Sequence, residues 1–181
     1  MSSSTRSIAM AIVALALVTV PATPSAAPPQ AAAADRPDLH SWRLTRHGFG
    51  QLKVGLNRTK IERRTGRTLK FSYNTGSCAI WGISGAPGLS VMTVRGRLVR
   101  VDVGKGSWRT SEGVRVGDSE SDVRARYPQL RTRPHPYDPD GKYLIVPGPH
   151  RRVVFEMNGD DEVTGLRGGR VPEVMYIEGC A

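Results

Sequence analysis

Apolar and polar side chains alternate through much of residues 69–103. Leu69, Phe71 and Tyr73 are separated by Lys70, Ser72 and Asn74, and Val99, Val101 and Val103 by Arg100 and Asp102. A period of two sends every second side chain to the same side of a strand, so these runs predict a sheet with one buried face. Strands are expected at 69–74, 78–83, 89–95 and 97–103, and again at 143–146, 152–157, 162–167 and 174–180. Gly96 and the pair Asn158-Gly159 mark hairpin turns between them.

Ahead of each group of strands stands a short helical pattern. Residues 52–66 (LKVGLNRTKIERRTG) align without gaps on 114–128 (VRVGDSESDVRARYP) at a shift of 62. Gly55 then falls on Gly117, and Ile61 falls on Val123. Asn57 falls on Ser119, and both are residue types that cap a helix N-terminus with a side-chain oxygen. Ser119 and Asp122 have the spacing of a capping box. The helices are expected to stop near Gly66 and Pro128. The fold class this predicts is α+β, two tandem helix-plus-antiparallel-sheet repeats at 47–105 and 106–181. A short entry segment, 35–46, precedes them. Residues 134–142 (PHPYDPDGK) and 147–150 (PGPH) read as exposed loops.

The first residues change the cellular picture. Arg6 precedes an apolar run from residue 8 to residue 20, which fits the core of a signal peptide and is too short to span a bilayer. A stretch rich in Pro and Ala extends to residue 34, and a mature start is expected between residues 27 and 36. No Cys closes the apolar run, so a lipid anchor is not expected, and after cleavage no stable membrane insertion is expected. The expected location is secreted.

Two cysteines remain, Cys78 and Cys180. An even, minimal number in an exported chain predicts one structural disulfide. The net charge is +10 at pH 7 and is carried mostly by arginine. Such a surface attracts polyanions through its long-range field. The positive residues are spread along the sequence and mixed with acids, so the first expectation is a solvated surface.

A search for chemistry finds little. Ser84 lies beside Gly85 without the spacing of a nucleophile elbow. There is no phosphate-binding glycine loop. His40, His47, His135 and His150 are far apart and form no metal-ligand spacing. Asp138, Asp140 and Gly141 faintly resemble a calcium loop without its closing Glu, and Asp160, Asp161 and Glu162 read as a solvated hairpin tip. Trp42, Trp81 and Trp108 are isolated, without the basic-aromatic interleaving of single-strand binders, so no nucleic-acid partner is expected. Neither a cofactor nor a metal is expected, and the chain is read as a non-enzyme.

The repeated element hydrophobic-x-Val-Gly-x-cap-x-x-x-apolar, followed by antiparallel strands, resembles the tandem repeat of the β-lactamase inhibitory protein family. It is similar too to small lipoproteins of the outer-membrane assembly machinery and to exported actinobacterial proteins that end, as here, in Glu178-Gly179-Cys180. The resemblance covers most of residues 48–181. It implies a concave sheet able to grip a protein loop, and a non-catalytic binding role. The inhibitors carry a disulfide within each repeat and an aromatic binding face, whereas this chain has one Cys in each half and few aromatics, so their activity does not carry over.

The function expected is thus a secreted binding or interaction protein, with inhibition of a protein as one form of it. Trp81, Trp108, Tyr137 and Tyr143 are the candidate contacts. The alternative is a wall-associated protein that binds anionic polymers through its arginine-rich surface. A third reading is a secreted hydrolase using His135 or His150 near Asp138. The expected partners are an extracellular protein or an anionic wall polymer, met by a monomer.

Overall fold

The computed structural model describes residues 36–180, so the expected leader lies outside the described residues. A 3-10 turn at Leu39–Ser41 leads into β1 (Arg43–Thr45), β2 (Gly48–Phe49) and β3 (Leu52–Lys53). Helix α1 (Arg58–Thr65) precedes β4 (Leu69–Thr75), β5 (Cys78–Ile83), β6 (Leu89–Val94) and β7 (Arg97–Val103). After β8 (Arg109–Thr110) comes α2 (Glu120–Arg126), then β9 (Arg131–Pro134), β10 (Lys142–Val146), β11 (Arg151–Met157) and β12 (Val163–Arg170).

β4 to β7 and β9 to β12 join in one eight-stranded antiparallel sheet, ordered β4-β5-β6-β7-β12-β11-β10-β9. At the β6–β7 turn Arg95 and Gly96 both take positive φ, 49° and 69°, as a tight hairpin with the native twist requires. A second sheet, ordered β3-β2-β1-β8, packs on the inner face of the first through Leu44, Phe49 and Leu52, all fully buried. The approach is close. A Cβ on Gly168 of β12 would stand 2.4 Å from the Thr45 carbonyl oxygen, so only glycine lets the two sheets meet there.

These sheets correct the expected fold. The protein is β-rich, with two sheets, and is not an α+β pair of helix-plus-sheet repeats. α1 has 8 residues and α2 has 7, and each buries one apolar side chain, Ile61 or Val123. Two turns of helix have room for little more, so strands supply most of the core. The helix ends follow local chemistry. Asn57 accepts the Lys60 backbone N–H at 3.0 Å, and Ser119 with Asp122 forms a capping box. α1 stops at Gly66 in the left-handed conformation, and α2 stops at Tyr127 before Pro128.

The strand expected at 174–180 does not form. A 3-10 turn at Glu173–Met175 opens a strap that crosses the outer face of the large sheet. Val174 packs on Tyr143, Ile145 and Val154, and Cys180 packs on Met92 and Val99. The strap ends in the Cys78–Cys180 disulfide, which joins residues 102 apart in sequence. Two buried arginines hold its backbone. Arg100 donates to the carbonyls of Glu173 (3.0 Å) and Tyr176 (2.7 Å), and Arg167 donates to Tyr176 (2.8 Å). Each has a carboxylate partner, Asp102 for Arg100 at 2.9 Å and Glu156 for Arg167 at 2.8 Å. Buried cations persist only when paired and hydrogen-bonded in this way.

Candidate functional site

Between β10 and β11 the chain turns through Pro147-Gly148-Pro149-His150 at one end of the large sheet. The two prolines fix φ and stiffen the turn. A Cβ on Gly148 would stand 2.3 Å from the Arg151 carbonyl oxygen, so the turn closes on itself only with glycine there. The Arg152 Nε–H donates to the Gly148 carbonyl at 3.3 Å and ties turn to strand.

This turn lines two hollows, and a third adjoins one of them. On the outer face, Arg131, Arg133, Ile145 and Arg152 line a cavity of about 380 Å³ together with residues of the turn. Cross-strand register gathers them: Arg131 lies opposite Ile145, Arg133 opposite Tyr143, and Ile145 opposite Val154, two residues from Arg152. Facing residues share a side of the sheet. On the other side, Thr45, His47, Lys53, Val54 and Arg151 line a hollow of about 350 Å³. A smaller one of about 170 Å³, lined by Arg46, His47, Pro149, His150 and Arg151, lies between the two. It shares Pro149 with the first and His47 and Arg151 with the second. The Arg46 Nη1 lies 3.8 Å from where a Cβ on Gly148 would stand, so this guanidinium reaches the turn itself.

The electrostatics of this collar are one-sided. No Asp or Glu lines any of the three hollows. Two other hollows on the protein do contain acids, Asp102 and Glu156 in one and Glu173 in the other. Among the described residues, Arg46, Lys53, Arg131, Arg133, Arg151 and Arg152 form no ion pair, a state they share with other surface cations such as Lys60, Arg63, Arg95 and Arg97, so what sets them apart is that they line adjoining hollows. The field registers on His47. Burial, and then the charges of Arg151, Arg46 and Lys53, hold its imidazolium below the ordinary value of 6.5. The collar can therefore take several negative groups at once. Sequence inspection placed these cations in a general solvated charge. The signal was the pairing of Arg131-Thr132-Arg133 and Arg151-Arg152 beside a Pro-Gly-Pro turn, which only strand register turns into a patch.

The four aromatic contact candidates do not converge. Trp108 is buried, stacks on His40 with ring centroids 4.5 Å apart, and donates its indole N–H to the Pro87 carbonyl at 3.0 Å. Tyr143 is buried beneath the strap, with the Arg167 guanidinium 5.0 Å from its ring centroid; burial pushes its hydroxyl above the ordinary value. Trp81 is half-buried between Arg58, 4.8 Å over its ring, and Phe71. Tyr137 alone is largely exposed, 66%, and donates to Glu178 of the strap at 2.6 Å. Packing engages Trp108, Tyr143 and Trp81, and a strap contact engages Tyr137.

His135 is not free either. Its Nδ1 accepts the backbone N–H groups of Tyr137 (3.2 Å) and Asp138 (3.0 Å), which leaves the proton on Nε2, 3.5 Å from Glu156. Neither ring nitrogen is left to take a proton from a nucleophile. The Asp138 carboxylate accepts the Asp140 backbone N–H within its own loop, and Asp161 pairs with Lys142 at 2.6 Å. Among the described residues, no three His, Cys, Asp or Glu side chains converge on a metal position.

No family model matches the chain, and no curated protein matches it. A solved structure, an extracellular protein containing a SCP domain from Bacillus anthracis str. Ames, is similar at 11% identity with a TM-score of 0.46. The match covers 63% of this chain and 43% of that one. That likeness carries no argument about fold or function. The chain holds a disulfide, as proteins of oxidising compartments do. No helix among the described residues is long and apolar enough to cross a membrane.

Proposed function

We propose that the protein is exported and acts as a non-catalytic binding protein, taking an anionic ligand of the cell exterior at the basic collar. The observation that carries this reading is the concentration of six cations without carboxylate partners around one stiff turn. The disulfide suits an oxidising compartment, and the apolar run ahead of it suits a signal peptide. Binding through the open sheet face draws less support, because the strap covers the centre of that face.

The test is retention of the oxidised protein on isolated, protein-stripped cell walls. Retention at low salt that is released at moderate salt is expected, because exposed charges are screened beyond about 10 Å at 0.1 M ionic strength. No retention at low salt, or retention indifferent to salt, overturns the reading.

A second reading, a protein partner, has its own support in Phe71 (61% exposed) and Tyr73 (45%) on the outermost strand, β4. A pull-down from culture supernatant at physiological salt tests it, and loss of capture in Phe71→Ser would assign the contact to that edge.

A further inference from the structure

We infer that the ligand is an extended phosphate polymer without bases, wrapped around the 147–150 turn so that it occupies the outer and inner hollows together. This rests on the anion-binding reading above and specifies its ligand.

Continuity is the first ground. The three hollows share lining residues in series, so a chain leaving the Arg131–Arg133 side passes Pro149 and reaches Lys53 without crossing a carboxylate. A single compact anion would need one cradle, whereas the cations here lie on both sides of the turn. Side-chain chemistry is the second ground. Five of the six permanent cations are arginines, whose planar forks match phosphate oxygens two at a time. The third ground is what the collar lacks. No Phe, Tyr or Trp lines any of the hollows, so the large aromatic platforms that hold single-stranded nucleic acid are missing, and His47 and His150 are the rings present there. The shape is also preset: the prolines and the Arg152–Gly148 hydrogen bond hold the turn before any ligand arrives.

The test uses long-chain inorganic polyphosphate as the probe, with pyrophosphate and oligothymidylate as comparisons, on the oxidised full-length mature protein. Each phosphate contact on a flexible single chain contributes about −0.7 to the slope of log K against log salt, so six cations give about −4, or roughly a 300-fold loss from about 50 to 200 mM salt. Arg131→Gln with Arg133→Gln should cut the slope by about 1.4, and Lys53→Gln, at the other end, by about 0.7. These three side chains are exposed and make no side-chain hydrogen bond, so the fold should not be at stake. Lys60→Gln with Arg63→Gln, an equal charge change on exposed positions of α1, should leave the slope unchanged.

An equal loss in the α1 variant overturns the collar while leaving a polyanion-binding protein. Pyrophosphate bound as tightly as the polymer overturns the extended ligand. Oligothymidylate bound more tightly than polyphosphate of equal charge overturns the base-free ligand. Absence of any binding at low salt removes the anion reading itself.

Discussion

Replacing Cys78 and Cys180 together by alanine reopens a loop between residues 102 apart in sequence. The chain-entropy model assigns about 4.7 kcal/mol at 25 °C to closing a loop of that size. With roughly 2.1 cal/mol/K of unfolding entropy per residue over about 150 residues, that corresponds to a fall in Tm of about 15 °C. Measured disulfides often deliver less than the model, so about 3–5 kcal/mol is expected. The strap should not leave the sheet, because Arg100 and Arg167 still hold the Glu173 and Tyr176 carbonyls. Hydrogen exchange should therefore rise at Gly179 and its neighbours while β10 and β11 stay protected below the unfolding transition. Urea unfolding followed by tryptophan fluorescence measures the loss, and a larger m-value for the variant would report its more expanded unfolded chain. A loss under about 1 kcal/mol with an unchanged m-value would refute the claim that the bridge acts by restricting the unfolded state.

Packing and charge each lead to further outcomes. Arg100→Met should cost about 3–5 kcal/mol in a urea melt, because it strands Asp102 in a partly buried position and removes the donor to two strap carbonyls; a near-neutral result would mean that the strap is held by Val174 and the disulfide alone. Gly168→Ala should cost about 1–3 kcal/mol by thermal melt, since its Cβ would meet the Thr45 carbonyl at 2.4 Å and push the small sheet off β12. His47, held below 6.5 first by burial and then by Arg151, Arg46 and Lys53, binds fewer protons folded than unfolded, so its contribution to stability is present above pH 6.5 and is lost as pH falls through the folded value. A bound polyanion reverses the field that these three cations set there, so polyphosphate affinity should rise as pH drops below 6.5, and His47→Gln should flatten both profiles.

Local signals were legible wherever the cause was local. The caps at Asn57 and Ser119 depend on residues three positions away, and both formed as expected. Seven of the eight expected strands form, as β4–β7 and β10–β12, but the alternation of Leu69, Phe71 and Tyr73 gave no buried face: β4 is an edge strand that buries only Leu69. β9 went unread because Arg131-Thr132-Arg133 is polar and ends at Pro134: an exposed edge strand buries nothing and leaves no apolar period. The reverse error fell at 174–180, where the apolar run Val174-Met175-Tyr176-Ile177 has strand character although the segment lies across a sheet and pairs with none. The overestimate of helix had a similar origin, since a cap and one anchoring apolar residue establish that a helix exists without establishing that it organises the core.

By itself the amino-acid order determined the disulfide, because there are only two cysteines to join, and the positions where helices begin, because capping acts over a few residues. Which faces are covered, and which charges stand together, was decided only in three dimensions. Trp108 and Tyr143 became buried, the strap closed the outer face, and Arg46, Lys53, Arg131, Arg133, Arg151 and Arg152 met around one turn. The physical reason is range. Capping and alternation are set by neighbours along the chain, whereas an electrostatic patch is a sum over charges that strand register brings together from positions up to about a hundred residues apart.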